Sequence, residues 1–118
     1  MQLYNKLSAD ERSKILETSK LKRITLSFYQ YANIVDPKKF RDSLFIFWNS
    51  IDVLGRIYIA KEGINAQLSL PEINIDKFTK YLNSVSFLKN VRLNIALKHE
   101  KKSFLKLKIK VRNKILAD

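Results

Sequence analysis

Val53-Leu54-Gly55-Arg56-Ile57-Tyr58-Ile59-Ala60-Lys61-Glu62-Gly63-Ile64-Asn65-Ala66-Gln67-Leu68-Ser69-Leu70 is the stretch that decides the fold. Residues 53–60 and 64–70 read as two strands. In the first, Ile57 and Ile59 face one way and Arg56 and Tyr58 the other. In the second, Ile64, Ala66, Leu68 and Leu70 face inward and Asn65, Gln67 and Ser69 outward. Period-two alternation of this kind marks half-buried strands. Ala60-Lys61-Glu62-Gly63 is the natural place for a tight turn, because Gly63 can take positive φ. Pro71 ends the pair.

Working outward, each strand is flanked by a helix. Upstream, Asp36-Pro37 is a helix start, with Asp as N-cap and Pro at the first helical position. Phe40, Leu44, Phe47, Trp48 and Ile51 follow at helical spacing and form a core stripe. Downstream, a helix runs from about Asn74 to Ser84, with Phe78, Tyr81, Leu82 and Val85 on one face. Beyond the helices, residues 22–31 alternate: Ile24, Leu26 and Phe28 inward; Arg23, Thr25, Ser27, Tyr29 and Tyr31 outward. Residues 91–97 alternate likewise, with Val91, Leu93, Ile95 and Leu97 inward and Arg92 and Asn94 outward.

The order β-α-β-β-α-β is the split β-α-β, or ferredoxin-like, arrangement. We therefore expect an α+β fold: an antiparallel sheet with both helices on one face and the other face open. Two additions flank this unit. Ser8 and Glu11 have capping-box spacing and open an N-terminal helix with Ile15 and Leu16 as its stripe. Phe104 to Arg112 reads as an extra C-terminal strand, since Leu105, Leu107, Ile109 and Val111 alternate with Lys106, Lys108, Lys110 and Arg112. The expected boundaries are a helical extension over 1–20 and the ferredoxin-like domain over 21–118.

Composition narrows the function. The 118 residues suit one domain; 46% are hydrophobic and 29% charged, which is globular composition. There is no cysteine, so this chain holds no disulfide, thiolate metal site or cysteine nucleophile. His99 is the single histidine, which excludes a multi-histidine metal site, and it reads as a loop residue without a role. The longest apolar run, Leu44 to Trp48, is too short to span a bilayer. The first residues lack the apolar core of a signal peptide. The expectation is a cytoplasmic domain with no membrane partner.

The formal charge is +12 and it is uneven. Residues 89–118 carry ten basic and two acidic groups, against thirteen and nine in the first 88. Such asymmetry points to a polyanionic partner. The outward positions that would meet it are Tyr29, Arg56, Tyr58, Asn65, Gln67, Arg92, Asn94, Lys106, Lys108, Lys110 and Arg112. Cations would contact phosphates, tyrosines would stack on unpaired bases, and amides would bond base edges or riboses. The plainer alternatives stay open: lysines guard an edge strand, tyrosines pack on a sheet, amides are solvated. Lys61, Glu62 and Gly63 are either a plain hairpin turn or the lining of a substrate or domain interface.

Several segments resemble one family. They are Ile24-Thr25-Leu26-Ser27-Phe28-Tyr29, Asp36-Pro37 with Phe40-Arg41-Asp42, and the unbroken run from Val53 to Gln67. Leu93-Asn94-Ile95-Ala96, Lys102-Ser103-Phe104 and Ile109-Lys110-Val111-Arg112-Asn113-Lys114-Ile115 join them. The family is the rhodanese-domain tRNA uridine hydroxylases. The resemblance implies oxidation of the tRNA wobble uridine to 5-hydroxyuridine, with molecular oxygen as co-substrate. It implies an N-terminal acylphosphatase-like (ferredoxin-like) domain followed by a rhodanese domain that carries the working cysteine. This chain matches the N-terminal domain only, so no catalytic residue and no cofactor is assigned to it. The expected partners are tRNA and the rhodanese domain of the same protein.

Three rivals remain. A stand-alone RNA-recognition domain needs an aromatic-rich third strand, and Ile64 to Leu70 has no aromatic residue. An acylphosphatase needs a phosphate cradle after the first strand, and residues 32–37 contain no glycine. A docking module would use the basic face to hold another domain without RNA.

Overall fold

The computed structural model describes residues 22–96 and 104–116. The expected helix over 1–20, Leu97 and His99 lie outside them. The strands are β1 (Arg23–Tyr31), β2 (Leu54–Ala60), β3 (Gly63–Pro71), β4 (Asn94–Ile95) and β5 (Leu107–Val111). The helices are α1 (Pro37–Ser50) and α2 (Ile75–Ser84), the second preceded by a 3-10 turn at Glu72–Asn74. The sheet order is β4-β1-β3-β2-β5. The β-α-β-β-α-β unit is thus present, with β5 added beside β2.

Local chemistry sets the helix ends. The Asp36 carboxylate accepts from the Lys39 N–H at 3.1 Å, the N-cap bond expected from Asp-Pro. α1 stops in a Schellman arrangement. Asp52 sits at φ +62°, its N–H donates to the Asn49 carbonyl, and the Val53 N–H donates to the Trp48 carbonyl. Asn74 does not cap α2 with its side chain; its amide donates to the Ile51 carbonyl at 2.9 Å and ties the two helices together.

The core lies between the helices and one face of the sheet. Leu44 and Trp48 from α1 and Phe78 and Leu82 from α2 meet Leu26, Phe28, Ile57, Ile64 and Leu68. Trp48 meets Phe28 edge-on, with ring centroids 6.4 Å apart, and Phe78 at 5.3 Å. Phe47 and Tyr81 stack at 4.6 Å where the helices touch. Burial at this seam raises the Tyr81 phenol above its ordinary pKa.

Three expectations need correction. The sheet is mixed, not wholly antiparallel, because β5 pairs parallel to β2. β4 runs antiparallel to β1, so it ends at the end of the sheet where β2 begins. β5 starts at that same end on the opposite edge, so it must run alongside β2. Second, of the strand expected over 91–97, the described residues 91–96 keep only Asn94 and Ile95. Ile95 does share a face with its partner Leu26, yet it is 52% exposed at the sheet edge. Third, the last strand is shorter than 104–112, and Leu105 is exposed rather than inward.

Gly63 takes the positive φ expected of it, +151°, and has a second need for glycine: at the start of β3 a Cβ would lie 2.2 Å from the Gln30 carbonyl oxygen of β1. Close approach of two strands, rather than the turn alone, requires glycine here.

Candidate nucleic-acid interface

Register alone brings the outward residues together. Tyr29 pairs with Asn65, Asn65 with Tyr58, and Tyr58 with Lys110. One row along, Asn94 pairs with Ser27, Ser27 with Gln67, Gln67 with Arg56, and Arg56 with Lys108. Strands lie about 4.8 Å apart and same-face neighbours about 7 Å apart, so these two rows make a grid. Their even–odd partners fill the core, so neither α1 nor α2 covers this face.

Not every expected residue joins the grid. Arg92 is exposed but precedes β4, and Lys106 precedes β5, where its carbonyl accepts from the Gly55 N–H. Arg112 follows β5; its guanidinium sits 4.4 Å from the centroid of the Tyr58 ring, a cation–π contact. Arg23, also on the outward parity, is a structural residue. It donates to the Asp52 carbonyl at 2.8 Å and to the Ser69 carbonyl at 3.0 Å. Burial draws its pKa below the usual guanidinium value, and the Asp52 carboxylate opposes that.

Asn65 is engaged within the chain. Its amide donates to the Ile115 carbonyl at 3.0 Å, so the segment after β5 turns back over the middle of the face. Ile115 is buried but belongs to no part of the main core cluster. Sequence reading missed this strap. Its one signal is an apolar pair, Ile115-Leu116, directly after Arg112-Asn113-Lys114. Reading also left Tyr31 out of the site, although it stands 6.2 Å from Tyr29, ring to ring, and both are more than half exposed.

The Lys61-Glu62 turn is anchored by backbone. The Ala32 N–H donates to the Glu62 carbonyl and the Ile34 N–H to the Lys61 carbonyl, both at 2.9 Å. Two amides of the loop after β1 are thereby engaged, which argues against that loop as a phosphate cradle. The side chains of Lys61 and Glu62 remain exposed.

Among the described residues no group of three or more His, Cys, Asp or Glu side chains is placed to hold a metal. No helix among them is long and apolar enough to cross a membrane.

The profile of the UPF0176 acylphosphatase-like domain matches residues 23–115, from the first residue of β1 to the strap. The chain belongs to this family. Relatives of the UPF0176 domain extend the match. A tRNA uridine(34) hydroxylase of Leptospira interrogans is 46% identical over 116 residues, which are 98% of this chain and 32% of that protein. A protein of the same name from Photorhabdus laumondii is 47% identical over 117 residues, again 98% of this chain and 33% of its own. The chain therefore spans about a third of the length of these relatives.

Proposed function

We propose that this UPF0176 domain is the N-terminal, tRNA-binding part of an oxygen-dependent tRNA uridine hydroxylase that forms 5-hydroxyuridine at the wobble position. One observation carries the reading: the helix-free face gathers Arg56, Lys108 and Lys110 beside Tyr29 and Gln67 in two adjacent rows. Cations next to exposed aromatic rings suit single-stranded or loop RNA, where phosphates and unstacked bases are both within reach. The relatives named tRNA uridine(34) hydroxylase supply the substrate class.

In this reading the domain over residues 21–118 holds the tRNA. The chemistry belongs to a following rhodanese domain, and relatives about three times the length of this chain leave room for one. Molecular oxygen is its co-substrate, and the enzyme works in the cytoplasm. Arg92, Asn94, Lys106 and Arg112 flank the RNA, and Lys61, Glu62 and Gly63 line the substrate or domain interface.

The test replaces Lys106, Lys108 and Lys110 together by Glu and measures tRNA affinity at several salt concentrations. A thermal melt checks that each protein is folded. The parent chain should bind more weakly as salt rises, and the triple variant should lose binding. If the parent shows no tRNA affinity at low salt, the RNA reading fails. If folded variant and parent bind tRNA alike, the face serves domain docking instead.

A further inference from the structure

The open face is divided by the strap, and its two halves differ in chemistry. On the β2–β5 side, Arg56, Tyr58, Lys108 and Lys110 line a shallow concavity. Arg56 and Lys108 are register partners, as are Tyr58 and Lys110, so the four side chains leave the sheet as a two-by-two block. Among the described residues no acidic side chain lines it and no salt bridge involves its three cations. On the β1 side stand Tyr29 and Tyr31, 58% and 54% exposed. Between the halves, the Asn65 amide is held by the Ile115 carbonyl.

We propose that this concavity is a subsite for a phosphodiester of the RNA backbone, with bases directed to the Tyr29–Tyr31 half. The proposal rests on the tRNA-binding reading and deepens it. Like charges about 7 Å apart lie within the Debye length of about 8 Å at physiological salt, so they repel. A phosphate between them removes that repulsion and accepts hydrogen bonds from all three. Tyr58 cannot serve as a base platform on the ring face that Arg112 covers. Its hydroxyl remains as a donor to a phosphate oxygen. The strap, rather than a base, fills the centre of the face, which fixes which half takes charge and which takes rings.

The experiment uses the whole chain and a synthetic anticodon stem-loop RNA. Arg56→Gln, Lys108→Gln and Lys110→Gln are compared with Lys39→Gln, an exposed lysine on α1 behind the sheet. Each of the first three should weaken binding about two- to fivefold and reduce the log–log salt slope by about 0.7–1. Lys39→Gln should leave the slope unchanged. Tyr29→Ala should weaken binding about 5- to 100-fold with no change of slope. A second arm replaces single phosphodiesters of the RNA by uncharged methylphosphonates. At one linkage the loss should not add to that of Lys108→Gln, because both remove the same contact. If the parent binds with a steep salt slope and the Arg56, Lys108 and Lys110 variants keep that slope, the subsite is wrong and tRNA binding stands. Full additivity at every linkage overturns it equally. Absence of any binding by the parent overturns both readings.

Discussion

β4 and β5 border the sheet on opposite sides, and only β5 is secured. β4 keeps Asn94 and Ile95 in register with β1 and leaves Ile95 half exposed. β5 runs five residues along β2 and buries Leu107 and Ile109 in the core cluster, where α1 packs against it. Near β4, the apolar anchors come early: Val91 and Leu93 lie against the core before the strand begins, in irregular backbone. An edge strand is thus held by the side chains it buries more than by its ladder of hydrogen bonds, each of which contributes only about 1 kcal/mol net. The secured edge is also the one that bears Lys108 and Lys110, so the proposed RNA face is built on the strand whose inner side chains are buried.

The harshest way to break this comparison is Gly55→Ala. Gly55 lies between β3 and β5, and its N–H donates to the Lys106 carbonyl at 2.8 Å. Its φ is +156°, and a Cβ there would fall 2.2 Å from the Gln67 carbonyl oxygen and 2.6 Å from the Leu68 Cα. Both are backbone-bound atoms on a central strand, so neither can move aside cheaply. The expected cost is about 3–5 kcal/mol, at the far end of single substitutions. Denaturant unfolding measures it, and a midpoint near the parent's would show that β2 can shift away from β3.

Next in size is Leu107→Ala. Leu107 is buried on the secured edge, so its truncation should cost about 2–5 kcal/mol by denaturant midpoint. In the same variant, amide exchange should quicken at Gly55 before it does at Leu26, since β5 would open first. Equal quickening at both would mean that β5 and the central strands unfold as one unit, and the contrast between edges would lose its energetic meaning.

These particulars explain what was legible in the sequence. Alternation told which side of each strand is buried, because the side-chain period is two and the helices offer one apolar face. Hence Arg56, Tyr58, Asn65 and Gln67 emerged on one face, and Asp36-Pro37 gave the start of α1. Alternation cannot tell a strand's direction, its partner or its length. The pattern at 91–97 is as regular as that at 105–111, yet among the described residues only the second forms a long strand. Direction came from which end of the sheet the chain re-enters, a tertiary fact. The engagement of Asn65 by Ile115 was invisible for the same reason: the two are fifty residues apart and no local period links them.

The smallest effect is expected at the other edge, from Ile95→Lys. Exposed edge strands invite pairing with other chains, and lysine is a common guard against it. β5 has Lys108 and Lys110 in that position; β4, two residues long among the described residues, has none. Because Ile95 is half exposed and a lysine stem can replace its contact with the sheet, the substitution should change stability by no more than about 0.5 kcal/mol. The unfolding midpoint checks this. A loss above about 1 kcal/mol would mean that Ile95 packs against something in solution, and the weaker edge would then be covered rather than free. Sedimentation of parent and variant at matched concentrations separates the two cases, since a covering second copy would be driven off by the lysine and an unpartnered edge would leave the mass unchanged.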